Sequence, residues 1–335
     1  MTACEFGLGL QSDKSASEYV RLGRLAEEHG FDVVTVFHDL LYQPSFFPLL
    51  VIALNTQRVR LGPACLNPFT LHPVEIAGQT AALDLASGGR AYLGLTRGAW
   101  LDALGLDQTR PLTALREAVE VIYRILRGDR TGFSGARFSL APDAGLNYEP
   151  LRPDPPLLIG TWGERTAGFA GEVAQEVKLG GSANPDMVAV ARERIGNDGV
   201  GIVLGAVTVV DEDGERARAR ARAEVAMYME VVAAHDPTVT LPVNLLAEIR
   251  QRLASRDREG AGALIPDEVL DRFAFSGTPE QVGAQVEALL RAGARRVEFG
   301  VPQGLTTEHG IELLGTRVLP AARRIAADVH VRPAL

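Results

Sequence analysis

The sequence predicts an α/β protein in which a single domain, residues 1–335, forms a (β/α)8 TIM barrel. Short apolar runs typical of buried strands alternate with segments of helical periodicity, and eight such strands can be counted. No Gly-x-Gly-x-x-Gly loop follows the first strand, where an open doubly wound sheet would bind a dinucleotide. The barrel is therefore the predicted fold, and the open sheet is the alternative.

The predicted strands are short and rich in apolar residues, and they cover residues 5–10, 31–37, 59–63, 91–95, 157–160, 176–179, 201–210 and 296–299. The predicted helices present an apolar face, and they cover residues 15–29, 46–55, 74–85, 113–126, 164–171, 185–195, 212–234, 279–292 and 308–326. Two segments interrupt this alternation and are predicted to be insertions. Residues 128–156 are rich in Gly and Pro, with a hairpin expected around 133–138, and residues 236–275 are expected to be helical.

The composition excludes several classes of protein. A net charge of −8 argues against a nucleic-acid surface, which needs a clustered basic face. No apolar run approaches the ~20 residues that a membrane span requires, and the N-terminus lacks the basic region of a secretory signal. The two cysteines are isolated and no group of residues has metal-ligand spacing. We therefore expect a cytoplasmic protein that acts on a small molecule without a bound metal.

The strand ends carry the candidate catalytic residues, because the active site of a barrel lies at the C-terminal ends of its strands. His38-Asp39 follows the second predicted strand and is the best acid/base pair, since imidazole exchanges protons near neutral pH. The alternative is that this pair only caps the helix at 46–55. Cys65 follows the third strand, where a small buried residue is expected rather than a nucleophile.

Glycine-rich strand ends before helices expose backbone N–H groups that suit a phosphate. Two such loops follow the fifth and sixth strands, and they comprise Gly160, Thr161, Trp162, Gly163, Gly180, Gly181 and Ser182. Arg97 lies in the loop after the fourth strand, so that a phosphorylated cofactor is predicted. Gln11, His72 and Trp100 are candidates for lining the substrate pocket, although each is also explained by a structural role.

Several segments in order along the chain carry a family resemblance. They are RLAEEHGFD at 24–32, RLGPACLNPF at 60–69, LDLASGGRAYLGL at 83–95, PLTALREAVEVIYRIL at 111–126, FSGTPEQV at 275–282 and VPQG at 301–304. On these segments the chain resembles the luciferase-like flavin- and deazaflavin-dependent oxidoreductases. Within them it is most similar to the F420-dependent methylenetetrahydromethanopterin reductase group.

The resemblance implies a luciferase-like barrel, usually a homodimer, that binds coenzyme F420 or FMN across the strand ends. It implies a non-prolyl cis peptide at Ala64-Cys65 behind the ring of the cofactor. It also implies a set of residues that hold the ring and the phosphate tail, namely Ala64, Cys65, Asn67, Thr96, Arg97, Gly98, Ala99, Gly160–Gly163 and Gly180–Ser182.

Two positions depart from the pattern of that group. The order His38-Asp39 is inverted, and Gly9 stands where the methanopterin reductases carry a carboxylate, so that Gln11 or His38 is the expected replacement as proton donor. We therefore predict an F420H2-dependent reductase that transfers hydride to a small C=N or C=C substrate. An FMN-dependent monooxygenase is the alternative, and a cofactor-binding protein without catalysis is a third.

Overall fold

Strands and helices alternate through both compact units of the structure, a computed structural model that describes residues 4–98 and 101–331. Unit I comprises residues 10–24 and 33–177, and unit II comprises residues up to 9, residues 25–32 and residues from 178 onward. None of the described helices has both the length and the apolar character needed to cross a bilayer.

The strands are β1 (Glu5–Leu10), β2 (Val33–Phe37), β3 (Arg60–Ala64), β4 (Leu93–Thr96), β5 (Phe133–Ser134), β6 (Ser139–Leu140), β7 (Leu157–Gly160), β8 (Glu176–Gly180), β9 (Gly201–Val210), β10 (Ala274–Gly277) and β11 (Arg296–Gly304). The helices are α1 (Ala16–Glu28), α2 (Phe46–Ala53), α3 (Pro73–Ser87), α4 (Pro111–Leu126), α5 (Glu164–Val173), α6 (Asp186–Ile195), α7 (Gly214–Ala226), α8 (Met229–Ala233), α9 (Leu245–Ala254), α10 (Arg258–Ala263), α11 (Asp267–Phe273), α12 (Pro279–Ala292), α13 (Thr307–Leu313) and α14 (Leu319–Val331). This order confirms the predicted alternation.

Unit I contains two parallel strand pairs, β2 with β3 and β4 with β7. Parallel bridges at Leu61↔Ala91 and Leu66↔Leu95 join β3 to the neighbourhood of β4. A Cβ atom on Gly94 would lie 1.9 Å from the carbonyl oxygen of Pro63, so only glycine permits this approach of the two backbones. The short antiparallel hairpin β5–β6 confirms the prediction for residues 133–138.

Unit II contains β1, β9, β10 and β11, in which β11 pairs in parallel with both β1 and β9. The prediction that residues 236–275 are an all-helical insertion is wrong at its end, because β10 pairs in parallel with β9. The four residues of β10 are all buried and follow α11 directly, so that no turn residue marks the start of the strand. The single helix predicted at 212–234 is also wrong, because α7 ends at Ala226 and α8 begins at Met229.

Charged side chains are buried inside unit II. Lys178 pairs with Glu298, and Nε of Arg296 lies 3.9 Å from the second carboxylate oxygen of Glu298. The Glu298 and Arg296 side chains are at most 1% exposed. Taking charges out of water is costly unless an opposite charge lies beside them, so the carboxylate of Glu298 compensates for both buried cations.

We expect Glu298→Gln to lower the free energy of unfolding by roughly 3–5 kcal/mol, because it leaves two cations buried without the carboxylate charge. The measurement is urea unfolding followed by circular dichroism. Glu230→Gln is the matched control, since Glu230 pairs with Arg250 on the surface and solvent screens that pair. If the two substitutions lowered the free energy of unfolding equally, the buried position of Glu298 would not explain the loss of stability.

Candidate active site

A cavity of about 300 Å³ opens within unit I at the C-terminal ends of β2, β3 and β4. Its lining residues come from the loop before α2, the loop after β3, helix α3 and the end of β4. They are His38, Asp39, Leu40, Leu41, Tyr42, Gln43, Pro44, Cys65, Asn67, Thr70, Leu71, Gln79, Thr96 and Gly98. This volume is at the lower end of the range found for ligand sites, which is about 300–1,000 Å³.

His38 follows β2, and its ring is held by the residue that precedes α2. The Nδ1 atom lies 3.0 Å from the hydroxyl oxygen of Ser45 and accepts a hydrogen bond from the Ser45 backbone N–H at 3.4 Å. Burial lowers the pKa of His38, and the negative charge of Asp39 opposes this shift. Helix α2 has no side-chain cap. Because His38 accepts from the N–H of the residue that precedes α2, the capping alternative for the His38-Asp39 pair stays open beside the catalytic one.

Asp39 has a different partner from His38. Its carboxylate accepts a hydrogen bond from Nε2 of Gln11 at 2.9 Å, and the side-chain oxygen Oε1 of Gln11 accepts from the N–H of Ser12. Gln11 does not line the cavity itself and instead fixes a residue that does. Among the described residues that line the cavity, Asp39 carries the only carboxyl group, and neither lysine nor arginine occurs there.

The loop after β3 places two uncommitted polar groups at the cavity. The side-chain oxygen of Asn67 accepts from the backbone N–H groups of Phe69 and Thr70, which leaves the amide nitrogen as a donor. Asn67 is 4% exposed, and the Thr70 hydroxyl is buried with no partner within the described ranges. Because a buried polar group without a partner is destabilising, such groups are expected to bind a ligand.

The ends of β3, β4 and β7 meet beside Cys65. The Ala64-Cys65 peptide is cis, as the resemblance predicts. A Cβ atom on Gly160 would lie 2.9 Å from Sγ of Cys65, and the Thr96 hydroxyl donates to the Gly160 carbonyl at 2.9 Å. The structure therefore brings together three of the residues predicted to hold the cofactor.

The predicted phosphate-binding loops have different outcomes. Gly163 lies immediately before α5. It has no side chain that could accept a hydrogen bond from the first backbone N–H groups of this helix. Thr161 accepts from the Gly163 N–H at 3.0 Å. In unit II, by contrast, the N–H groups of Gly181 and Ser182 both donate to the Gly205 carbonyl, at 2.6 and 3.2 Å. The loop at 180–182 is therefore a poorer phosphate cradle than the sequence predicts.

Other predicted residues lie outside the cavity lining. Arg97 is exposed, and Ala99 and Trp100 fall outside the described residues. His72 caps α3 from the position just before it, where its Nδ1 accepts from the Val74 N–H at 3.2 Å and its ring packs edge-on against Phe138. This arrangement matches the structural role weighed for His72, and its assignment to a substrate site stays a prediction.

Sequence reasoning missed several lining residues, of which Tyr42, Gln43, Thr70 and Gln79 carry polar side chains. Gln79 falls on the predicted helix at 74–85 as an ordinary polar residue. Its position at the cavity depends on how α3 packs, which no local pattern reveals. Thr70 follows the turn at Asn67. The dipeptide Asn67-Pro68 predicts that turn, and it was the only sequence signal near Thr70.

The structure also assembles a group that the sequence spacing did not indicate. Ligand atoms of Asp211, Glu212 and His309 in unit II lie within 4.8 Å of one another. The Nε2 atom of His309 is 2.9 Å from the Glu212 carboxylate, which raises the pKa of His309. Since a metal binds the neutral imidazole, this arrangement is better explained as a surface ion pair.

Comparison with known proteins identifies the family. The profile of the luciferase-like monooxygenases matches residues 1–296. The chain belongs to the luciferase-like monooxygenase family. It is 30% identical to the 5,10-methylenetetrahydromethanopterin reductase of Archaeoglobus fulgidus over 94% of this chain and 99% of that protein. It is 27% identical to the F420-dependent glucose-6-phosphate dehydrogenase of Nakamurella multipartita over 93% and 94% of the two chains.

A solved structure of this luciferase-like fold superimposes closely. The F420-dependent tetrahydromethanopterin reductase of Methanopyrus kandleri gives a TM-score of 0.87 at 26% identity, covering 95% of this chain and 99% of that one. An F420-dependent secondary alcohol dehydrogenase bound to an F420–acetone adduct gives a TM-score of 0.74 at 18% identity, over 96% and 99%. The chain thus has the (β/α)8 barrel fold that its sequence predicts.

We expect Gly160→Ala to destabilise the protein by roughly 1–3 kcal/mol, because the added methyl group overlaps Sγ of Cys65. The double variant Gly160→Ala, Cys65→Ala removes the sulfur and should recover most of that loss, which thermal and urea unfolding will measure. Gly163→Ala is the control in the same loop, since its Cβ would meet only the Thr161 hydroxyl at 3.8 Å. Additive effects of the two substitutions would contradict the contact.

Proposed function

We propose that this protein is an F420-dependent oxidoreductase that transfers hydride between the deazaflavin and a small electrophilic C=N or C=C substrate. The observation that carries the proposal is the cavity at the ends of β2, β3 and β4, where His38 and two uncommitted polar groups meet. The named functions of the relatives supply the cofactor class, since both the methanopterin reductases and the glucose-6-phosphate dehydrogenases are F420-dependent enzymes by name or by solved structure.

The cavity residues fit the ring of such a cofactor. A deazaflavin ring is planar and presents neutral carbonyl and N–H groups, and the cavity offers an amide donor at Asn67 and a hydroxyl at Thr70. Cys65, Thr96 and Gly98 would form the remaining wall. The cavity is too small for the whole cofactor, so we propose that residues 160–163 before α5 hold the phosphate tail.

When bound, F420 supplies the two-electron chemistry, and the protein supplies orientation and polar groups beside the reacting bond. His38 or Asp39 protonates or stabilises the substrate atom that becomes electron-rich as hydride arrives. The apolar side chains of Leu40 and Leu71 in the cavity lining would limit the access of water to that bond.

The charges of the cavity favour a substrate without phosphate groups. Neither lysine nor arginine occurs among its described lining residues, and the one carboxylate, Asp39, would repel an anion. This argues against a sugar phosphate like that of the glucose-6-phosphate dehydrogenase relatives. An uncharged imine or unsaturated heterocycle of specialised metabolism fits the lining better, and this finer assignment belongs to the proposal.

We also propose that the 335 residues form one domain with insertions at 128–156 and 236–275, and that two copies form a homodimer in the cytoplasm. The dimer rests on the family resemblance alone. Light scattering coupled to gel filtration of the purified protein measures it directly, and a monomer at micromolar concentration would contradict it.

The cofactor is tested by titrating the purified protein with F420 and, separately, with FMN while absorbance and fluorescence are recorded. We expect F420 to bind at least tenfold more tightly and reduced F420 to be oxidised by an imine or enone substrate without consumption of oxygen. Tight FMN binding together with substrate-dependent oxygen uptake would instead establish the monooxygenase alternative. Binding of neither cofactor would contradict both.

We expect His38→Ala to lower kcat by roughly 10²–10⁴-fold, the usual contribution of a positioned proton-transfer group, while the Kd for F420 changes little. Stopped-flow oxidation of reduced F420 measures kcat, and fluorescence titration measures Kd. His235→Ala is the matched control, because His235 is exposed and does not line the cavity. An unchanged kcat in His38→Ala would remove His38 from the mechanism.

A further inference from the structure

The hydrogen bonds at Nδ1 of His38 determine which ring nitrogen carries the proton. The Ser45 backbone N–H points at Nδ1 from 3.4 Å, and a backbone N–H can only donate. This donor favours Nδ1 as the acceptor, but 3.4 Å is a long contact that does not fix the tautomer by itself. The Ser45 hydroxyl, 3.0 Å from the same atom, can donate as well, since a hydroxyl rotates to suit its partner.

A neutral imidazole carries one proton, so an accepting Nδ1 leaves that proton on Nε2. Protonation of the ring would add an N–H at Nδ1 that faces the backbone N–H of Ser45, and two donors cannot share a hydrogen bond. Burial of the ring acts in the same direction, since it disfavours the charged form. The charged group next to the ring is Asp39, which opposes both effects and is itself held by Gln11.

The Ser45 side chain has no competing role among the described residues. It stands at the position before α2, where a serine commonly caps the helix through its hydroxyl, but no such cap bond is formed. Ser45 is 1% exposed, and the His38 ring is the partner recorded for its hydroxyl. The hydroxyl is thus directed at the ring instead of the helix.

We propose that Ser45 is a positioning residue that holds His38 as the neutral Nε2–H tautomer, so that the ring offers a hydrogen-bond donor to the cavity. The substrate must then present a lone pair at the atom facing His38, as a carbonyl oxygen or an uncharged imine nitrogen does. An alcohol or amine that has to lose a proton would instead need an accepting nitrogen there. The tautomer stands on the hydrogen bonds alone, whereas its use in reduction rests on the proposed function.

The tautomer is measured directly in long-range 1H–15N spectra of protein labelled with 15N-histidine, without any cofactor. The signals of His38 are assigned by their loss in His38→Ala. We expect the Nε2–H pattern from pH 8 down to pH 6.5, with protonation only below the ordinary pKa of 6.5. A wild-type ring that is protonated on Nδ1 in this range would overturn the proposal.

Ser45→Ala removes the closer partner, the hydroxyl, and keeps only the backbone N–H at 3.4 Å, so we expect a mixture of tautomers and a raised pKa of His38. We also expect kcat for reduction to fall by roughly tenfold, the scale of one lost hydrogen bond, with the KM for F420 unchanged. Ser45→Thr retains a hydroxyl and should restore both readouts. Ser17→Ala, at an exposed position in α1, should change neither.

These outcomes separate the two proposals. An Nε2–H tautomer that shifts in Ser45→Ala, together with a failure to bind F420, would support the role of Ser45 and contradict the proposed cofactor. F420 turnover with a tautomer that is identical in wild-type protein and Ser45→Ala would support the cofactor and contradict the role of Ser45.

Discussion

The close approach of the strand backbones in unit I is the constraint on which the candidate site depends. A side chain at Gly94 would overlap the Pro63 carbonyl, and one at Gly62 would lie 2.5 Å from the Tyr92 carbonyl. At the cavity the same packing continues through Gly160, which leaves room for the sulfur of Cys65. The glycines thus let three strand ends converge, and the side chains that follow those ends become neighbours although they are distant in sequence.

This convergence explains why the cavity is polar yet nearly uncharged. The polar residues at the ends of the strands already form hydrogen bonds within the protein. The Asn67 side-chain oxygen accepts from the Phe69 N–H, and the Thr96 hydroxyl donates to the Gly160 carbonyl. What remains is a small number of neutral groups in an apolar surrounding. Such a site can hold a neutral heterocycle and orient it, whereas a phosphate requires cations or free N–H groups that lie elsewhere in the described chain.

Local sequence patterns were sufficient for most of the fold, because helices leave a periodic signal and buried strands leave short apolar runs bounded by turn residues. They failed at β10, which begins directly after α11 with no turn residue between them, whereas Pro155-Pro156 precedes the equally short β7. They also predicted one helix over 212–234, where the structure has two helices interrupted near Tyr228. The hydroxyl of Tyr228 donates to the Phe273 carbonyl. That contact joins residues 45 positions apart, so that no local window contains it.

The candidate site was predictable to the extent that strand ends were predictable. His38, Asp39, Cys65 and Asn67 all follow predicted strands, and all line the cavity. The cis peptide at Ala64-Cys65 was expected only through the family resemblance. The loop at 180–182 shows the limit of this reasoning, since its N–H groups are engaged by the Gly205 carbonyl from another strand. Composition reveals a flexible donor-rich loop and says nothing about whether its donors are already in use.

His38 and Asp39, the pair in inverted order, are held by different residues. The His38 ring is held at Nδ1 by Ser45, and the Asp39 carboxylate is held by Gln11. Neither hydrogen bond joins the pair to each other, so the arrangement is not a dyad in which the carboxylate orients the ring. The carboxylate acts on the ring through its charge alone, while the proton position is set by a serine. A neutral donor and a nearby negative charge are therefore independent features of one cavity wall, and each can be changed by substitution without displacing the other.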